Sequence, residues 1–416
     1  MSTARKNEAI KVSVIGTRGI PATWGGIEHQ CEEVYMRLVQ NGFQISIYTR
    51  PQYVDELRKT YKGIDIINLK AWKGKHAEAF SHSLLSTLHA CFSDADILHF
   101  YAQGPSLFTW IPRLLVPHKK VVFTCQGLDW QRAKWSGLAS RILKMGEWCS
   151  AIFPHAQTGV SQQILDHYLQ HYGRKLTLIP NGANPAQLLP VNIIREKFDL
   201  EARKYLLFVG RLVPEKAIHE LILAYRQLDT DIKLVIAGDT SATDSYVNHL
   251  KELAQKDVRI IFTSYVFGDT LSELFTNALA YVSASQLEGL PLTMMEAMSY
   301  GIPILVSDIP PHLEVLEQLP KSSLNCTFET GNIDHIRQRL SEMIQAPEPE
   351  REALGQVAQK LVLQKYGWDK IALQFAQFYH QFTDRKTDQT ILLHPQYMAM
   401  EEIRLPLAEK HLFSEK

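Results

Sequence analysis

Of the 416 residues only five are cysteine, Cys31, Cys91, Cys125, Cys149 and Cys326, an odd total with no C-x-x-C pair. That scatter excludes a disulfide scaffold and a zinc knuckle, and points to a reducing compartment. No uninterrupted apolar run approaches the ~20 residues needed to cross a bilayer. The opening M-S-T-A-R-K-N-E lacks the apolar stretch of a signal peptide. The expectation is a cytoplasmic protein, at most peripheral at the inner face of a membrane. Low-complexity tracts and short repeats are missing as well. So is net charge, with 44 Lys+Arg against 44 Asp+Glu, a balance that gives no support to nucleic-acid binding. What is present is apolar mass: 45% hydrophobic residues are enough for real cores, and the length suggests two domains at roughly 100–200 residues each.

The zero net charge hides an asymmetry. Residues 1–184 carry 21 Lys+Arg and 13 Asp+Glu, so this half is +8 and the remainder −8. Drift between two solvated surfaces explains this; so does an N-terminal half that meets something anionic.

The first half alternates short β-branched runs with amphipathic stretches, the pattern of a parallel sheet covered by helices. Strands are expected at 11–16, 44–49, 64–69, 97–101, 121–125 and 176–179. Between the first two, Ile27, Cys31, Val34, Tyr35 and Leu38 share one helix face, with Glu28, Glu32, Glu33 and Arg37 on its other faces and Gly42 as its stop. Pro185 and Pro190 punctuate a break in the pattern. Alternation resumes at 205 and runs through 233–239, 258–263, 280–285 and 303–308, a second doubly wound domain. Trp368, Ile371, Phe375 and Phe378 then fall at helical spacing. The expected division is a domain at 1–184, a linker at 185–203, a domain at 204–365, a helix at 366–383 and a peripheral tail at 384–416.

In open parallel sheets, ligands bind beyond the carboxyl ends of strands, so the loops there are where chemistry is sought. The first strand leads into G-T-R-G-I-P-A-T-W-G-G-I-E, with Gly25 and Gly26 just before the amphipathic helix. Glycines there let backbone approach a phosphate, although such turns also occur merely because they are tight. A dinucleotide site needs G-x-G-x-x-G and an acid ending the second strand; that strand ends in Tyr48, Thr49 and Arg50, which disfavours NAD.

The second domain's first strand ends in V-G-R-L-V-P-E-K, placing Arg211 and Lys216 in one loop. Either cation alone reads as a solvated surface residue; a fork and a point charge together suit a diphosphate. Further on, S-A-S-Q-L-E-G-L-P-L-T-M-M-E sets Glu288 in a loop and Glu296 eight positions later inside a helix opened by Pro291. Free amides around Leu292 and Thr293 face an anion, and the carboxylates accept from sugar hydroxyls. Glu288 by itself also reads as a helix-dipole charge. His99, His118, His155, His167 and His171 show no metal-ligand spacing and read as packing or surface residues. Trp130, Trp135, Leu138 and Ile142 read as core rather than a sugar-stacking shelf. Lys134, Arg141 and Lys144 share a helix face beside Trp135, with Gly137 as an interruption.

Taken jointly, these segments resemble the family-4 retaining glycosyltransferases of the GT-B architecture. The Glu288-to-Glu296 segment is similar to their E-x7-E motif and V-G-R-L-V-P-E-K to their phosphate-binding loop; the likeness covers roughly residues 10–383. G-T-R-G-I-P and G-L-D-W-Q-R-A-K-W further resemble a bacterial subgroup of surface-polysaccharide assembly. The resemblance implies two Rossmann-like domains facing a cleft, the N-terminal one for the acceptor and the C-terminal one for the nucleotide-sugar, with a crossover helix returning to the N-domain. It implies that Glu296 holds the ribose, Glu288 touches the donor sugar, Arg211 and Lys216 neutralise the departing diphosphate, and Gly26 lets the N-domain backbone close over it. The base falls near Val266, the acceptor is a glycan or lipid-linked, and no metal or other cofactor is implied. One departure stands out: where many members carry His-Gly after the fifth N-domain strand, this chain has Gln126 and Gly127. Glutamine hydrogen-bonds a hydroxyl but takes up no proton at neutral pH. Asp129, three residues on, is either an acceptor-side carboxylate or a cap.

Overall fold

A computed structural model describes residues 9–22, 25–54, 58–72, 74, 77–131, 137–239, 244–255, 257–320 and 324–383. Lys134, Trp135 and the tail from 384 lie outside these residues. Two sheets are built in sequence. The first contains β1 (Lys11–Ile15), β2 (Gln44–Thr49), β3 (Thr60–Tyr61), β4 (Ile64–Asn68), β5 (Ile97–Tyr101), β6 (Lys120–Cys125), β7 (Ala156–Gly159) and β8 (Thr177–Leu178). Their order is β3-β4-β2-β1-β5-β6-β7-β8, parallel except for the β3–β4 pair. The second contains β9 (Tyr205–Val209), β10 (Lys233–Ala237), β11 (Ile260–Ser264), β12 (Ala280–Ser283), β13 (Ile304–Ser307) and β14 (Thr327–Phe328), in the order β11-β10-β9-β12-β13-β14. All its pairings are parallel. Each order reverses once, between β1 and β5 and between β9 and β12. Those two reversals are where crevices open at the strands' carboxyl ends.

The central strands match the expected segments because they are buried on both faces and so read as continuous apolar runs. The edges do not. β7 has the sequence A-Q-T-G, and β3 and β14 are only two residues long, too polar or too short to carry a signal. The expected linker is also not bare: a helix at Ile193–Phe198 lies within it, and the Glu273 carboxylate accepts from the amides of Asn192 (2.9 Å) and Ile194 (3.1 Å). That fastens the segment onto the second domain.

The helix Gly26–Gln40 buries Cys31, Val34, Tyr35 and Leu38 as its spacing predicts, but Glu28 and Glu33 are buried too. Glu28 accepts from the Arg18 amide (2.9 Å), and the side carrying Glu33 and Arg37 meets the helix Trp368–His380. Arg37 joins the two, donating from Nε to Asp369 (2.6 Å), from Nη1 to Glu33 (2.6 Å) and from Nη2 to Asn184 (2.9 Å). Trp368, Ile371, Phe375 and Phe378 are buried against the first sheet, each worth about 1.5–3 kcal/mol. Tyr379 sets its hydroxyl 3.0 Å from that of Tyr35, which also meets Tyr101 (3.0 Å) and His99 Nδ1 (2.9 Å). The last helix thus returns to the first domain through a buried polar cluster. No described helix is long and apolar enough to cross a membrane.

Candidate active site

β9 and β12 are hydrogen-bonded neighbours, Leu206 opposite Ala280 and Leu207 opposite Tyr281. The loops leaving their carboxyl ends therefore emerge side by side, although their residues are far apart in the chain. The amide of Gln286 donates to the Glu215 carbonyl (2.9 Å), and its side-chain amide donates to Glu220 (2.7 Å). So pinned, the loops place Lys216 Nζ in an ion pair with Glu288 Oε1, both side chains almost covered. Burial pushes the Glu288 carboxyl up, but Lys216, then His312 and Ser285, more than reverse that and hold it below the usual range. Glu288 stays ionised.

His312, in the helix Pro310–Leu316, is buried, and that burial pushes its imidazole down to about 4. Its Nδ1 lies 2.8 Å from the Ser307 carbonyl oxygen, which only accepts, so Nδ1 carries the proton. Nε2 keeps a lone pair, is buried and has no hydrogen-bond partner among the described residues. Ser307 Oγ donates to the Ser285 carbonyl, tying the end of β13 to the loop that holds Glu288.

Glu296 lies on the helix Leu292–Ser299, capped by Pro291. The amides of its first turn have no intrahelical acceptor. Burial pushes the Glu296 carboxyl up; His29 opposes this and Glu33 adds to it, so Glu296 faces the first domain's helix. Tyr281 OH lies 2.9 Å from Thr293 Oγ1 and feels both Glu288 and Glu296. Both carboxylates are therefore within electrostatic reach of one tyrosine.

The domains meet at two glycines. A Cβ on Gly26 would come within 2.8 Å of Leu292 Cδ1, and one on Gly289 would overlap the Gln126 carbonyl oxygen. Glycine is required at Gly289, where the obstacle is backbone; at Gly26 the obstacle is the flexible end of Leu292, which can move aside. Gln126 turns its side-chain amide to Gln30 on the helix Gly26–Gln40. Arg211 lies beside Tyr265, whose hydroxyl burial pushes up while Arg211 and Arg18 pull it back, so a cation from each domain reaches this tyrosine. Val266 follows, half-buried, and the rings of Tyr265 and Phe267 on either side of it stack at 6.0 Å. Gly25 caps the helix start in extended backbone.

The structure thus brings Lys216 into contact with Glu288, sets Glu296 and Thr293 around Tyr281, and joins Gly26 to Leu292 and Gln126 to Gly289. Asp129 opens a short 3-10 turn, Asp129–Gln131, and is half-buried. Trp130 donates to Glu147 (2.6 Å), consistent with a packing role, but Leu138 is 72% exposed and is not core. The amphipathic reading failed there because a helix's apolar stripe does not say which way it faces. Sequence reasoning passed over His312, Ser285, Ser307 and Gln30. His312 follows the carboxyl end of β13 and was open to the same loop search; Gln30 sits mid-helix with no local mark.

A family model described as Glycosyltransferase Family 4 matches residues 24–187, and one described as Glycosyl transferases group 1 matches residues 191–361. Between them the two glycosyltransferase models span most of the chain, which is a glycosyltransferase with a group 1 domain at residues 191–361. Its architecture is GT-B, since it superposes on sucrose-phosphate synthase from Thermosynechococcus elongatus with a TM-score of 0.77 at 20% identity, covering 89% of this chain and 98% of that one. Anabaena HepE in complex with UDP and glucose superposes with a TM-score of 0.74 at 15% identity, covering 89% and 100%. An uncharacterized glycosyltransferase of Methanocaldococcus jannaschii is 24% identical over 89% of this chain and 98% of its own length. The O-antigen chain mannosyltransferase B of Escherichia coli is 31% identical, over 30% of this chain and 33% of its own length. This glycosyltransferase therefore carries its paired loops at the switch point of the group 1 domain.

Proposed function

We propose that the enzyme transfers a sugar, a hexose, from a nucleotide-sugar donor to a glycan or lipid-linked acceptor with retention of anomeric configuration, in polysaccharide assembly. The observation that carries this is the Lys216–Glu288 pair at the switch point, facing Gln126 across Gly289. A diphosphate leaving group needs cations preorganised where charge develops, and Lys216, with Arg211 at the Tyr265 side and the first-turn amides of Leu292 and Thr293, supplies them. Each such contact is worth ~2.7–4 kcal/mol if it matches a lost oxyanion donor. Glu288, ionised, accepts from donor-sugar hydroxyls, and Glu296 accepts from the ribose. The base lies against Val266, and the acceptor enters from the first domain near Asp129. The acceptor hydroxyl attacks on the face the diphosphate leaves, which gives retention; these cations and amides serve without a metal ion. The complex of HepE with UDP and glucose and the O-antigen mannosyltransferase relatives support the donor class and the pathway class.

Gln126 favours a second reading, a sugar- or nucleotide-binding protein without turnover, because glutamine cannot exchange a proton. Thermal-shift screening of nucleoside diphosphates identifies the base. Donor hydrolysis and NMR of the product anomer then separate the readings. Release of nucleoside diphosphate with a retained anomer is expected; binding without release establishes the second reading, and an inverted anomer removes the retaining mechanism.

A further inference from the structure

The helix Gly137–Ile152 wears its apolar stripe on the outside. Leu138, Met145, Trp148 and Ile152 are 72%, 49%, 48% and 38% exposed, and with Arg141 they recur at spacings of three and four, so they form one solvent-facing strip, with Lys144 exposed next to Met145. The opposite face is the packed one: Leu143, Gly146 and Cys149 are buried, and a Cβ on Gly146 would overlap the Gln103 carbonyl oxygen. A helix this tightly seated cannot rotate to hide the strip.

The patch extends. The short helix Trp110–Leu115 is tied to the end of this one, because Thr109 Oγ1 donates to the Cys149 carbonyl (3.2 Å) and Arg113 hydrogen-bonds His155. It adds exposed Trp110 and Leu114.

The exposed charges on these two helices are of one sign. The helix carries a single carboxylate, Glu147, and it is turned inward, accepting from Gln103 and Trp130 (2.6 Å each), Tyr172 (2.7 Å) and His167 (2.8 Å). Arg113, Arg141 and Lys144 on these two helices are exposed. Exposed tryptophan and leucine interleaved with Arg113, Arg141 and Lys144, with the acid removed from the surface, is the composition of a helix that lies in a lipid interface.

We infer that this face docks on an anionic bilayer, its apolar strip reaching the acyl boundary and its cations the headgroups. The binding is independent of turnover; the reading of a lipid-linked acceptor gives it a purpose, since Glu147 holds Trp130 in the loop that follows β6 and so links the docked helix to the cleft.

The test is sedimentation of the full chain with vesicles of phosphatidylcholine alone and of phosphatidylcholine with about 30 mol% phosphatidylglycerol. Expected is binding to the mixed vesicles that weakens with salt. Arg141→Gln with Lys144→Gln lowers the partition coefficient about thirtyfold, the ~2 kcal/mol expected for two cations near such a surface. Leu138→Ser with Trp148→Ser, both on the exposed face, lowers it at least tenfold while the thermal midpoint stays put. Equal binding to both vesicles, or variants that bind like the parent, overturns the inference. So does a dimer in sedimentation velocity that the serine variant dissociates and vesicles do not bind. If docking fails while donor turnover persists, the transferase reading stands alone; if docking holds while turnover fails, only that reading falls.

Discussion

Lys216 and Glu288, 72 residues apart in the chain, form one ion pair because β9 and β12 lie side by side in the second sheet. Removing either partner leaves the other charge nearly covered and unmatched. Lys216→Ala is expected to lower kcat at least ~10²-fold, the scale of a lost leaving-group contact, with the protein still folded. Circular dichroism and steady-state kinetics check this, and a near-normal kcat removes Lys216 from the mechanism. Lys216→Arg retains charge but not a point ammonium, and recovers only part of the rate.

Glu296 and Glu288 titrate in opposite directions. Burial raises the Glu296 carboxyl, while Lys216 and its neighbours hold that of Glu288 down against the same effect. On acidification Glu296 is therefore protonated first, and nucleotide affinity declines at a pH above the ordinary glutamate range. Glu296→Ala weakens nucleotide binding by roughly ten- to a hundredfold, the scale of a hydrogen bond to a charged group. Calorimetry with the correct nucleotide reads both effects; unchanged affinity refutes the ribose assignment.

Three buried imidazoles make the fold acid-sensitive. Burial holds His312 and His82 at about 4 and His99 at about 3. A depressed folded-state value means that the unfolded chain binds more protons, so stability is full above the usual imidazole value of ~6.5 and drains away as pH falls through about 4. Urea midpoints measured from pH 7 to pH 4 should decline, and His312→Asn should reduce the slope by about one third. A flat profile would show that these rings titrate as they do in water.

Gly289 permits the approach of the two halves. A methyl group there overlaps the Gln126 carbonyl oxygen, so Gly289→Ala holds the domains apart rather than unfolding either. Small-angle scattering should record a larger radius of gyration and kinetics a loss of about 10²-fold in kcat/KM, the cost of a misplacement near 1 Å. An unchanged radius with unchanged kinetics disproves closure at this point.

Much of this protein is readable along the chain. The central strands, the switch from sheet to helix periodicity and the local chemistry of Arg211, Lys216, Glu288 and Glu296 are all short-range properties, since apolar runs and loop residues at strand ends depend on neighbours within a few positions. Which strands adjoin is a long-range property. Only the order β10-β9-β12 puts Lys216 on Glu288, and only the return of Trp368–His380, where Arg37 joins Glu33 to Asp369, explains why Glu33 is buried. The same holds for the direction a helix faces. Periodicity marks Leu138, Met145 and Trp148 as one stripe, but packing of Gly146 on the Gln103 carbonyl is what turns that stripe outward. A stripe is symmetric with respect to inside and outside until a neighbour occupies one side of the helix, and that neighbour comes from elsewhere in the chain.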